Sequence, residues 1–107
     1  PDCYVEGKYC HLRREPSLAA FPDSVTTRGA KHMAELANMV EAGHRSVLIY
    51  CIERMDCDGF TTADDIDPDY DAALRDALAR GVEAYAYSCR LTEQEISIDR
   101  RLPTILD

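Results

Sequence analysis

The chain has 107 residues, 12 Lys and Arg against 20 Asp and Glu, and a formal net charge of -8. That length suits one small domain with a modest core. The charge argues against a phosphate-binding footprint spread over the whole surface, since such footprints draw on clustered Lys and Arg. No apolar stretch approaches the roughly 20 residues of a membrane span, and none has the pattern expected of a signal peptide. Five cysteines (Cys3, Cys10, Cys51, Cys57, Cys89) form an odd set without Cys-x-x-Cys spacing. They predict a reduced cytoplasmic protein rather than a disulfide framework or a zinc site.

In chain order, Cys3 to Leu12 is rich in Tyr and Val and predicts a strand, followed by a polar loop from Pro16 to Pro22. Within the strand, Val5-Glu6-Gly7-Lys8-Tyr9 places a carboxylate and an ammonium two positions apart, hence on one face. A first helix is expected from Asp23 or Ser24 to Ala42, with Met33, Leu36, Ala37 and Val40 as its buried stripe and Gly43 as a left-handed stop. Arg28, Lys31, His32 and Glu35 share a polar strip of that helix. Ser46 to Ile52 is a continuous apolar run, the pattern of a central parallel strand covered on both faces.

A second helix is punctuated by Asp67 as N-cap, Pro68 at its first position, a stripe of Tyr70, Ala73, Leu74, Ala77 and Leu78, and Gly81 beyond Arg80. Val82 to Leu91 reads as a strand that turns at Thr92-Glu93-Gln94 into an edge strand, Glu95 to Asp99. The order of elements predicts an α/β sheet with helices on its faces and one antiparallel edge.

Glu6 and Lys8 point to metal-assisted phosphodiester chemistry: the carboxylate is a ligand for a divalent cation, and the ammonium offers positive charge to a phosphate or an attacking water. Pro1-Asp2 is rejected as the companion acid. A four-residue step along one strand, at about 3.3 Å per residue, separates Asp2 and Glu6 by roughly 13 Å, too far for one shared cation. Asp23 reads either as a helix cap or as a metal ligand from the loop. Asp56-Cys57-Asp58-Gly59 fails as an EF-hand, because its glycine falls at the fourth position rather than the sixth. The acidic run Asp64, Asp65, Asp67, Asp69 and Asp71 fits helix-start capping and surface charge.

Phe21-Pro22-Asp23-Ser24-Val25-Thr26-Thr27-Arg28-Gly29-Ala30-Lys31-His32, together with Val5-Glu6-Gly7-Lys8, Gly43-His44-Arg45 and Ile66-Asp67-Pro68-Asp69-Tyr70, resembles the C-terminal domain of the sugar fermentation stimulation protein A (SfsA) family over nearly the whole chain. The resemblance implies a restriction-endonuclease-like mixed sheet of the PD-(D/E)xK type, DNA as partner, and Mg²⁺ or Mn²⁺ as cofactor. In that frame Glu6 and Lys8 are catalytic, Glu6 and Asp23 are metal ligands, and Arg28, Lys31 and His32 face nucleic acid, with His32 a donor in the pocket or an orienting group for Glu6. It further implies that an N-terminal OB-like domain and the first catalytic Asp lie outside residues 1–107, so that this fragment alone is inactive. The alternative function is a non-catalytic DNA-binding regulator of sugar metabolism, and homo-oligomerisation is left open. Gly7 and Tyr9 depart from the family pattern, which favours a β-branched residue after the Glu and a small residue after the Lys. Gly7 therefore marks either a close backbone approach or decay of the site.

Overall fold

A computed structural model describes residues 2–15, 17–22, 24–91 and 96–106. Nine elements follow one another: β1 (Cys3–Cys10), β2 (Leu12–Glu15), β3 (Leu18–Phe21), α1 (Thr27–Glu41), β4 (Arg45–Ile52), β5 (Gly59–Thr62), α2 (Pro68–Ala79), β6 (Glu83–Leu91) and β7 (Ile96–Leu102). They build a four-stranded sheet in the order β1-β4-β6-β7 and a three-stranded sheet in the order β2-β3-β5. β4 lies inside the larger sheet, parallel to β1 and to β6, and β7 closes it antiparallel. Among the described residues, no helix is long and apolar enough to cross a membrane.

The second sheet has no counterpart in the expected order. The predicted first strand stops at Cys10, the segment expected to be a polar loop holds β3, and β5 falls in a stretch expected to carry no strand. All three strands are four residues long, too short for a period-two pattern to stand out. Their apolar side chains are nevertheless core: Ala19 and Phe60 are fully buried, and the Phe60 ring lies 4.4 Å from that of Tyr50.

α1 opens later than expected, at Thr27, because Thr26 rather than Asp23 or Ser24 is the cap, its side chain accepting a 3.0 Å bond from the Gly29 N–H. Asp23 and the turn at Thr92-Glu93-Gln94 lie outside the described residues. The buried stripe of α1 is Met33, Leu36 and Ala37, with Val40 packed at its margin. Gly43 (φ 96°) and Gly81 (φ 104°) supply the left-handed residues that end the two helices, a conformation costly for any residue with a Cβ.

Asp67 caps α2 and also holds α1. One carboxylate oxygen accepts from Tyr70 N–H at 3.0 Å, the other from Thr26 N–H at 2.8 Å. With only 3% of its surface exposed, Asp67 thus satisfies orphan donors at two helix starts at once. Gly29 lets the helices cross closely: a Cβ there would stand 2.8 Å from Tyr70 Cδ2 and from Thr26 Cγ2. The Tyr50 and Tyr70 hydroxyls, buried beneath this crossing, bond each other at 2.5 Å.

Both helices lie over the face of the large sheet that carries Leu48 and Tyr50, as the Tyr50–Tyr70 pair and a 2.8 Å bond from Ser46 Oγ to the Leu36 carbonyl show. The apolar run of β4 predicts cover on both faces; of the residues that point the other way, Val47 is buried while Ile49 and Cys51 are half-buried.

Candidate functional site

Alternation along β1 sends Glu6, Lys8 and Cys10 toward α1 and leaves Val5, Gly7 and Tyr9 on the opposite side. Cys10 closes the row in the core, where its thiol lies 2.9 Å from the Ala20 carbonyl. Glu6 and Lys8 sit nearer the open end, half-buried. Lys8 Nζ lies 3.0 Å from Glu6 Oε1, and His32 Nδ1 reaches the same oxygen from α1, also at 3.0 Å.

Two opposing influences act on the Glu6 carboxyl. Partial burial raises its pKa, but hydrogen bonding and charge from Lys8, then from His32, outweigh that and leave it below the ordinary value. Glu6 is therefore an ionised carboxylate at neutral pH, held in place by two donors.

The site opens into a cleft of about 420 Å³ between β1 and α1, lined by Tyr4, Glu6, His32, Glu35, Leu36 and Met39 among others. Tyr4 meets the His44 ring edge-on at 5.5 Å, which fixes one wall. Sequence reasoning passed over Tyr4, Leu36 and Met39 as cleft residues. Tyr4 carries a legible signal, because it shares the period-two face of Glu6; Leu36 and Met39 read only as helix core.

Of the residues expected at the site, Glu6, Lys8 and His32 come together. Arg28 and Lys31 are exposed on α1, one turn before His32 and next to it, outside the lining of the cleft, and neither forms an ion pair with the described residues. Asp23 lies outside the described residues. Gly7 makes no close approach there either, since a Cβ on it would meet nothing within 4 Å. Among the described residues, no group of three His, Cys, Asp or Glu side chains is placed to hold a metal ion.

Four further acids are held in ion pairs with arginines. Asp56 pairs with Arg13 and Arg54, Asp58 with Arg100, Asp65 with Arg14 and Asp71 with Arg75. The guanidinium of Arg54 holds the Asp56 carboxyl far below its ordinary value, and that of Arg100 lowers Asp58. Among the described residues no cysteine forms a disulfide, and Cys10, Cys57 and Cys89 are buried.

A half-buried acid and ammonium at the edge strand of a mixed α/β sheet, backed by a histidine from the first long helix, define a compact class of domain. The sequence profile of the family described as the sugar fermentation stimulation protein RE domain matches residues 1–95. The sugar fermentation stimulation protein homolog of Rhodospirillum centenum is 60% identical over 99 residues, 92% of this chain and 42% of that protein. The homolog of Maricaulis maris is 50% identical over 100 residues, 94% of this chain and 43% of its own length. The structure of Pyrococcus furiosus SfsA in complex with Ca²⁺ superposes with a TM-score of 0.88 at 28% identity, covering 97% of this chain and 45% of that one. The chain belongs to the SfsA family. It spans less than half the length of these relatives.

Proposed function

We propose that this chain is the catalytic-edge domain of a DNA-processing SfsA-family protein of the PD-(D/E)xK type, a metal-dependent phosphodiesterase. The observation that carries the reading is the convergence of Lys8 and His32 on one oxygen of an ionised Glu6, at the mouth of a cleft. Both donors approach Oε1, which leaves Oε2 for a cation. That the Pyrococcus furiosus relative was solved in complex with Ca²⁺ supports a divalent cation as the cofactor.

The residues present fit that cation as one ligand of a larger set. A six-coordinate Mg²⁺ or Mn²⁺ requires further oxygens from water, phosphate and acids outside the described residues, among which Asp23 is a candidate. A bound divalent ion supplies charge neutralisation at phosphorus and a more acidic water. Lys8 adds a fixed positive charge where negative charge develops, His32 orients the carboxylate, and Arg28 and Lys31 engage backbone phosphates from the exposed side of α1.

The net charge of -8 does not forbid this arrangement. Asp56, Asp58, Asp65 and Asp71 are spent in ion pairs with arginines, whereas Arg28 and Lys31 are unspent among the described residues. One feature favours the non-catalytic DNA-binding regulator instead: the described residues gather no group of three metal-ligating side chains at Glu6.

The deciding experiment is plasmid nicking by the full-length protein in Mn²⁺. Glu6→Ala and Lys8→Ala should each reduce nicking by about 10²-fold or more, the usual loss when a preorganised electrostatic group is removed. A plasmid that shifts in the gel but is never cut would establish the regulator, and cleavage that survives both substitutions would dismiss Glu6 and Lys8 as the catalytic pair.

A further inference from the structure

Charge changes sign along the contact between β1 and α1, and the change falls where Glu6 meets His32. On one side of that pair stand the Lys8 ammonium, later in β1, and Arg28 and Lys31, toward the start of α1. On the other side the cleft is lined by Tyr4, earlier in β1, and by Glu35, Leu36 and Met39, later in α1. Among the described residues that lining holds neither Lys nor Arg, and Glu35 forms no ion pair. A phosphate is therefore drawn to the first half and repelled by the second.

The acidic half suits a flat, largely apolar group that donates hydrogen bonds. Tyr4 is 39% exposed, and its ring is set edge-on against His44. His44 is fixed in turn, its Nδ1 accepting the Asp2 N–H at 3.0 Å. Leu36 and Met39 supply the apolar wall from α1, while the carboxylates of Glu6 and Glu35, once ionised, can only accept. A volume of about 420 Å³ is that of a site enclosing a small molecule, enough for one base and far short of a duplex.

Granting the DNA reading above, on which this rests, we propose that the acidic half of the cleft takes one unpaired nucleobase, so that the preferred substrate is single-stranded or locally opened DNA. The base stacks on Tyr4 with its other face toward Leu36 and Met39, and its backbone phosphate stays on the side of Lys8, Arg28 and Lys31, within reach of Glu6. Its Watson–Crick edge must be free for Glu35, which a base inside a duplex cannot offer. Glu35 then sets the preference among bases. A carboxylate accepts from the exocyclic amino group of cytosine, adenine or guanine, whereas thymine flanks its single N–H with two carbonyl oxygens.

Fluorescence anisotropy with the full-length protein tests this, at one salt concentration and without divalent ion so that no strand is cut. The probes are a labelled oligodeoxycytidylate, an oligothymidylate and an abasic strand of equal length that carries the same phosphates. The thymidylate should bind about fivefold more tightly than the abasic strand, through stacking alone, and the cytidylate about fivefold more tightly again. Tyr4→Ala should bring the thymidylate down to the abasic strand. Glu35→Gln, a change on an exposed side chain, should remove the preference for cytidylate, since an amide can serve both bases. Equal binding of all three strands would overturn the base site and leave the phosphate contacts, and with them the DNA reading, standing. A protein that binds none of the three overturns both. A base preference that survives Tyr4→Ala would put the base elsewhere and overturn the inference as well.

Discussion

Glu6 shows how one oxygen can organise a site. Because Lys8 and His32 both reach Oε1, the carboxylate titrates below its ordinary value despite partial burial. A group whose pKa is depressed on folding contributes stability that is present above its unfolded pKa and lost as pH falls through the folded value. For Glu6 that loss sets in as pH drops below about 4.5. Lys8→Met should therefore raise the Glu6 pKa, because burial is then opposed by His32 alone, and should shrink this acid-dependent stability. The side-chain ¹³C titration of Glu6 checks it; an unmoved midpoint would show that Lys8 is not what holds the carboxylate ionised. At the exposed rim, Lys31→Ala in the full-length protein should weaken DNA binding and lower the salt slope by about one, the share of a single phosphate contact. A slope unchanged in fluorescence-anisotropy titrations would remove Lys31 from the interface. Glu6 and Lys8 were legible in sequence because strand alternation alone puts them on one face. That His32 would meet them was foreshadowed only by family resemblance, since its approach depends on how α1 lies across β1.

Among the elements, legibility followed length. β4, α1, α2 and β6 carry at least eight residues each and declare themselves by apolar period and caps. β2, β3 and β5 are four residues each and are held by neighbours distant in sequence, so local pattern could not disclose them. The same holds at the helix crossing, where Gly29 reads in sequence as a helix-weakening residue. Its use appears only once Tyr70 is in place, 2.8 Å from where a Cβ would stand. Gly29→Ala should accordingly destabilise the chain by about 1–3 kcal/mol through forced displacement at the α1–α2 contact, although alanine is the better helix former. Urea denaturation measures this, and a neutral or stabilising result would mean that the crossing yields without strain. Gly7 predicts the opposite sign. It has open space and no positive φ, so Gly7→Val should stabilise β1 by about 0.5–1 kcal/mol.

At the scale of the whole molecule, the apolar pattern announced a sheet buried on two sides; the described residues bury Leu48 and Tyr50 fully on one, and on the other they bury Val47 and leave Ile49 and Cys51 half-buried. The fold is otherwise an SfsA fold through nearly its full extent, with 97% of the chain superposed on the Pyrococcus furiosus relative. Its acidity is likewise organised rather than diffuse: arginines clamp the aspartates around β5 and the start of α2, while Arg28 and Lys31 stay clear of such clamps among the described residues.

The double grip of Asp67 ties these scales together. Since the same side chain fastens the residue that caps α1 and the first turn of α2, a lengthened or shortened connection between β5 and α2 would be felt at Thr26, 41 positions upstream of Asp67, and through α1 in the way His32 addresses Glu6. Loop-length variation there is a lever on the acid at the sheet edge, and descendants of this chain are constrained to inherit both helices with one common anchor.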